Sequence, residues 1–207
     1  MARNTVIGPR PHDLLRVASV AQLCAGGPAW VTPALRQAPW VVVRRARCAP
    51  GYLPVGVRGP SRSHRHATVV EIDAITEVLS PADLLDRVDQ LPNLPVTEAL
   101  RRATALLNPT GLRWGPGGSV GFSLAAGVLA AAPTSDLDLV VTVDDVPPLA
   151  MLARLRDAFA ELHARVDCQL DLPIGGIAIN DILGPTDQVL VRTNDGPSLM
   201  RVGPLAS

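Results

Sequence analysis

Between residues 136 and 143 the chain reads Asp-Leu-Asp-Leu-Val-Val-Thr-Val. Alternation of that kind, rich in β-branched residues, predicts a strand. Side chains two apart on a strand share a face. Asp136 and Asp138 therefore point one way, and Leu137, Leu139, Val141 and Val143 point the other, into a core. Residues 166–172 alternate again and put Asp167, Gln169 and Asp171 on one face. Between these stretches Leu149, Leu152, Leu155, Phe159 and Leu162 recur at close to helical spacing, behind Pro147 and Pro148 and an Asp144 or Asp145 cap. Strand, helix, strand is a βαβ unit, which sets its two strands close together in one sheet.

Upstream, Gly115-Pro116-Gly117-Gly118 cannot continue a regular element. Ser119 is placed to cap a short helix through Ala126, with Gly127 ending it. Thr97 is placed to cap a helix through Leu107, with Leu100, Ala103, Leu106 and Leu107 inward. Ser80 and Pro81 open another helix that runs to near Asp89. The prolines of Leu91-Pro92-Asn93-Leu94-Pro95 break both helix and strand, so this stretch reads as a linker. It divides an N-terminal part, residues 1–90, from a second part, residues 96–207. In the first part Trp40-Val41-Val42-Val43 and Val55-Gly56-Val57 read as strands, and Asp13 reads as the cap of a helix starting at Leu14. The expected class is α+β: a small N-terminal α/β domain, then a mixed sheet flanked by helices.

The acidic face carries the candidate chemistry. Cα atoms two apart on a strand are about 6.6 Å apart. Carboxylates at that spacing can bracket divalent cations against a polyphosphate. Mg²⁺ (or Mn²⁺) takes one or two carboxylates with phosphate oxygens and water. Asp136 and Asp138 are the expected catalytic and metal-binding pair. Asp167 is the expected third acid, with Asp171 as the alternative. A Gly-Ser turn opening a helix offers free backbone N–H groups to phosphate, which makes Gly117, Gly118 and Ser119 candidate phosphate ligands.

The chain has 19 basic residues, all arginine, against 19 acidic ones, for a formal net charge of zero. That balance argues against a nucleic-acid partner, which calls for a basic footprint. The absence of lysine excludes a lysine nucleophile and leaves phosphate binding to arginine, backbone and metal. Arg44, Arg45, Arg47, Arg58, Arg62 and Arg65 crowd the first part. Their plain reading is solvated surface; their functional reading is an anion site or a patch for an acidic protein. Arg58, beside Gly59, is the candidate phosphate contact. His64 and His66 lack a third ligand in sequence. Cys24, Cys48 and Cys168 are odd in number and scattered, which fits neither a zinc site nor a disulfide framework. Pro9, Pro11 and Asp13 stand where a signal peptide would be apolar, and the longest apolar run, residues 124–132, is too short for a bilayer. A cytoplasmic enzyme without a membrane partner is expected.

Gly117-Gly118-Ser119, then Ser135-Asp136-Leu137-Asp138-Leu139, then a later acidic strand together resemble the DNA polymerase β-like nucleotidyltransferase superfamily. The long gap between Ser119 and Asp136 resembles one branch of it, the malonate decarboxylase holo-acyl-carrier-protein synthases, or phosphoribosyl-dephospho-CoA transferases. Further blocks carry the same likeness: Pro11-His12-Asp13-Leu14-Leu15, residues 39–45, residues 55–59 with Arg62 and Arg65, residues 114–122, and residues 166–170. The resemblance implies a polymerase β-like catalytic domain. It also implies transfer from 2′-(5″-triphosphoribosyl)-3′-dephospho-CoA to a serine of the apo acyl carrier protein of malonate decarboxylase, with loss of pyrophosphate. It assigns catalysis to Asp136 and Asp138, and leaves His12 a role in positioning substrate. Ser123 departs from the pattern, where an acidic residue is expected, and the end of the chain, Gly203-Pro204-Leu205, looks short. The residues alone leave open an ATP-dependent adenylyltransferase, a non-catalytic binding module, and the carrier of the related citrate lyase system.

Overall fold

The computed structural model describes residues 8–20, 23 and 26–201; Cys24 and the Gly203-Pro204-Leu205 segment lie outside them. The chain forms two sheets. The first is five-stranded, made of β1 (Leu14–Val17), β2 (Trp40–Val43), β3 (Tyr52–Arg58), β4 (Arg65–Glu71) and β5 (Ile75–Leu79), in the order β4-β3-β2-β1-β5. Every pairing in it is antiparallel. The first part is therefore not α/β in the parallel sense: the β2–β3 and β3–β4 connections are too short for a parallel crossover, and the long β1–β2 connection, which carries the helix Val31–Gln37, also returns the chain antiparallel.

Leu14–Val17 is a strand, not the expected helix. Leu14 pairs with both Val42 and Leu79, so β1 fills the gap between β2 and β5. Asp13 is not a helix cap: its buried carboxylate accepts the Arg10 N–H at 2.8 Å and closes a turn. Alternation then gives the sheet two apolar faces. Leu15, Val41, Val43, Val55 and Val57 pack with Val31 and Leu35 of helix α1 (Val31–Gln37). Leu14, Trp40 and Leu79 join the core of the second half.

The second sheet is six-stranded and mixed. It contains β6 (Arg113–Pro116), β7 (Leu137–Thr142), β8 (Val166–Leu172), β9 (Gly175–Ala178), β10 (Gln188–Thr193) and β11 (Gly196–Arg201), in the order β11-β10-β9-β8-β7-β6. β7 and β8 are parallel neighbours joined through the helix Leu149–Ala160, as the βαβ pattern predicts. The helices of this half are α2 (Pro95–Leu107), α3 (Gly118–Ala126), α4 (Leu149–Ala160) and the single turn α5 (Ile179–Ile182). Leu152, Leu155 and Phe159 bury the inner face of α4, while Leu149 stays exposed.

Three expected caps are displaced. α2 starts at Pro95, so Thr97 lies inside it and donates to the Pro92 carbonyl at 2.9 Å. α4 starts after Pro148 rather than at Asp144 or Asp145. α3 starts at Gly118 with Gly117 before it, so Ser119 is in the first turn rather than at the cap, and Gly127 ends the helix in the left-handed region. In each case a proline or glycine sets the boundary earlier or later than the polar side chain. Ser80 is the cap the sequence predicts, and the structure adds Asp83 to it as a capping box; the segment they open, Pro81–Gln90, is a 3₁₀ helix. It lies against the second half: Gly115 of β6 is so close to the Pro81 carbonyl that no Cβ fits between them. Among the described residues no helix is long and apolar enough to cross a membrane.

Candidate active site

Asp138 and Asp167 are direct neighbours across the parallel β7–β8 pair. Asp136 lies just before β7 on the same face. The strands run on through Val140 beside Gln169 and Thr142 beside Asp171. Asp171 is therefore about 13 Å along β8 from Asp167 at the usual rise. Its carboxylate is buried and paired with Arg45 and, at 3.5 Å, with Arg10. The fold brings Asp136, Asp138 and Asp167 together and leaves Asp171 out.

Asp138 is the innermost of the three. Burial pushes its carboxyl above the ordinary range; Asp167 and Asp136 push the same way, and Arg65 and Arg62 oppose them. Beneath it lies the glycine turn. The Gly117 N–H donates to the Asp138 carbonyl at 2.8 Å, which ties the start of α3 to β7. Gly118 has φ of 55°, and a Cβ there would overlap the Asp138 carboxylate. The glycines thus put the first turn of α3 directly against the acid. Ser119 is buried in that turn.

The other wall comes from the first sheet. Gly56 of β3 pairs with Val42, which pairs with Leu14, so these residues share the face turned to the second half. Arg58 is two residues on from Gly56 and pairs with Arg65 of β4. Half-buried, Arg58 donates to the Ala130 carbonyl at 3.3 Å and stands over the Phe122 ring. Burial lowers its pKa, as does nearby Arg65. Arg62, in the β3–β4 turn, reaches Asp136 at 3.2 Å. Arg165 does the same for Asp167, also at 3.2 Å. A row of arginines therefore faces a row of carboxylates across the junction of the two halves.

Ser123 supports this wall. It is buried, donates to the Ser119 carbonyl at 2.8 Å, and accepts the Ala130 and Ala131 N–H groups at 2.9 and 3.2 Å. It fixes the loop whose Ala130 carbonyl receives Arg58. Ser123→Ala strands two backbone donors, and we expect a loss of roughly 1–3 kcal/mol with a higher KM for any substrate that Arg58 contacts. Urea melts and steady-state kinetics check both; unchanged stability would remove Ser123 from this role.

His12 lies outside the acidic cluster but beside it. Its Nε2 is 2.8 Å from the Gln169 amide nitrogen, while the Gln169 oxygen accepts from Arg192 at 3.2 Å. His64 packs edge-on against Trp30, and His66 lies against Gly27, so the two histidines do not form a metal site. Cys48 is exposed; Cys168 is buried, which pushes its thiol up to about 12. Sequence reasoning missed the pairing of Arg10 and Arg45 with Asp171 and the His12–Gln169–Arg192 chain. Only the shared face of Asp167, Gln169 and Asp171 hinted at them.

Asp136, Asp138 and Asp167 offer the hard oxygen donors that Mg²⁺ takes. Burial and then the neighbouring carboxylates raise Asp138, and a divalent cation would offset both. Among the described residues no three acidic, His or Cys side chains already converge as a metal cage, since Asp136 and Asp167 each turn to an arginine. The donor set fits a cation shared with phosphate rather than a closed protein site.

Comparison with known proteins decides the family. Residues 83–203 match the model of the phosphoribosyl-dephospho-CoA transferase MdcG C-terminal domain, and residues 10–81 match that of the MdcG N-terminal domain. The chain belongs to this family. A phosphoribosyl-dephospho-CoA transferase of Pseudomonas aeruginosa is 40% identical over 194 residues, covering 93% of this chain and 92% of that one. One from Azotobacter vinelandii is 37% identical, with 95% of each chain covered. One from Pseudomonas syringae pv. tomato is 33% identical over 92% of this chain and 90% of its own. No solved structure was found to match the chain. The two family segments meet between Pro81 and Asp83, where the first sheet has ended and the 3₁₀ segment has turned to the second.

Proposed function

We propose that this chain transfers phosphoribosyl-dephospho-CoA from 2′-(5″-triphosphoribosyl)-3′-dephospho-CoA to a serine of the apo acyl carrier protein of malonate decarboxylase, releasing pyrophosphate. The supporting observation is that, in a chain of this family, Asp136, Asp138 and Asp167 are faced by Arg58, Arg62 and Arg65 across the two halves. The first half serves as substrate- and carrier-binding domain, and the second as a polymerase β-like nucleotidyltransferase domain.

In this scheme the carrier serine oxygen bonds to the α-phosphorus as the α–β phosphoanhydride breaks. The serine proton passes to solvent and pyrophosphate departs in line. Arg58 and the backbone N–H groups of Gly118 and Ser119 hold the triphosphate, the latter with the favourable dipole of α3. Gly117 and Gly118 keep that turn in contact with Asp138, so phosphate and carboxylates share one small volume. Asp136, Asp138 and Asp167 would hold Mg²⁺ or Mn²⁺, which supplies Lewis-acid activation of the hydroxyl and neutralises the leaving pyrophosphate. The arginines confine the bound triphosphate from the opposite side.

Pyrophosphate release tests the reading. It should require donor, carrier and divalent cation together. Release from ATP without any carrier protein would replace it with an adenylyltransferase.

A further inference from the structure

The β3–β4 turn is a built projection. The Gly59 N–H donates to the His64 carbonyl at 2.8 Å, and the His64 N–H donates to the Ser61 carbonyl at 3.0 Å. The Ser61 hydroxyl meets His64 Nδ1 at 2.6 Å and the Ser63 hydroxyl at 2.9 Å. Trp30 stacks edge-on against His64, and Gly59 sits so tightly between them that a Cβ finds no room. The backbone of the tip is thus held by its own hydrogen bonds and by packing from outside it. The Arg62 side chain it carries is free of such bracing: it is 78% exposed, and its partner in the structure is the 23% exposed Asp136.

An ion pair with so exposed an arginine contributes little to stability. A guanidinium gains more from phosphate oxygens, which match its fork and carry more charge. Asp136 is also one of the carboxylates needed for a cation. The pair therefore blocks both halves of the site at once, and it is weak enough to exchange.

Resting on the reading above, we propose that Arg62 is a phosphate-binding residue that Asp136 holds in reserve. When the donor's triphosphate enters, the guanidinium moves from the Asp136 carboxylate to the phosphate oxygens. That movement frees Asp136 for the divalent cation and closes the arginine wall over the substrate. Arg58 and Arg65 stay on their strands; Arg62 is the member that changes partner. The rigid tip keeps the side chain within reach in both states.

The test is titration calorimetry of the full chain with inorganic tripolyphosphate and Mg²⁺, needing neither carrier nor donor. Arg62→Ala should weaken binding about tenfold, the scale of one charge-assisted contact, and Arg62→Lys should fall between it and the wild type. Arg102→Ala, on the exposed face of α2, should bind as wild type. Thermal melts of all variants should coincide, because Arg62 is exposed. Equal tripolyphosphate affinity in Arg62→Ala and wild type, or no binding by wild type, would overturn the proposal. A wild type that binds tripolyphosphate through Arg62 yet transfers nothing to the carrier would retire the proposed function and leave this inference standing.

Discussion

Asp138→Asn should abolish transfer while leaving the protein at least as stable as the wild type. The loss follows from position: Asp138 is the innermost carboxylate, flanked by Asp136 along the chain and Asp167 across the sheet. Removing its charge removes the group best placed to anchor a cation against phosphate. That is worth several kcal/mol at the transition state, on the order of a thousandfold or more in rate. The stability result follows from the raised pKa. The folded state holds the Asp138 proton more tightly than the unfolded chain does, chiefly through burial. The ionised carboxylate therefore destabilises the fold at neutral pH, and the penalty fades as pH falls through the raised pKa. Asn removes it. Single-turnover transfer and a thermal melt on one preparation check both parts. A variant that loses activity because it unfolds would contradict the assignment, since Asp138 would then be structural.

His12 should make stability depend on pH in a definite window. Its ring is held neutral: the Gln169 oxygen faces Arg192, so the Gln169 amide donates to His12 Nε2. Burial lowers the His12 pKa to about 4, with Arg45 and Arg192 adding to the effect. Arg10 and Asp171 complete the charged surroundings. The unfolded chain binds a proton near the ordinary value of 6.5, so it takes up a proton first as pH falls. Stability contributed by this neutral ring is present above about 6.5 and is lost progressively toward pH 4. A shift of that size corresponds to roughly 3 kcal/mol. His12 sits at φ of 75°, a conformation that Asn tolerates better than most residues. His12→Asn should therefore fold and show a flatter profile. Urea midpoints of both proteins between pH 7 and pH 4 decide it: converging curves support the account, and parallel ones contradict it. The same bond joins the lead into β1 to β8, so its loss should also loosen the two halves near the site.

How much of this was legible depended on how far apart the partners lie in sequence. β7 and β8 were readable because alternation is a local signal, and their adjacency followed from a connection rule. That was enough to place Asp138 beside Asp167. β1 was misread because Pro11-His12-Asp13 imitates a helix entry; Leu14 becomes a strand only through Val42 and Leu79, far along the chain. The exclusion of Asp171 was invisible for the same reason: Asp167 and Asp171 are equivalent in the alternation, and only the fold brings Arg10 and Arg45 to one of them. The Asp144, Asp145, Thr97 and Ser119 caps failed because proline or glycine set the boundaries. The arginines of the first part read as a patch; which of them face the site depends on the β3–β4 register.

The most direct measurement is the intact mass of apo acyl carrier protein after incubation with this protein, Mg²⁺ and triphosphoribosyl-dephospho-CoA. The account predicts a gain equal to the phosphoribosyl-dephospho-CoA group on one serine with the wild type and none with Asp138→Asn. An unmodified authentic carrier after reaction with folded wild-type protein would contradict it.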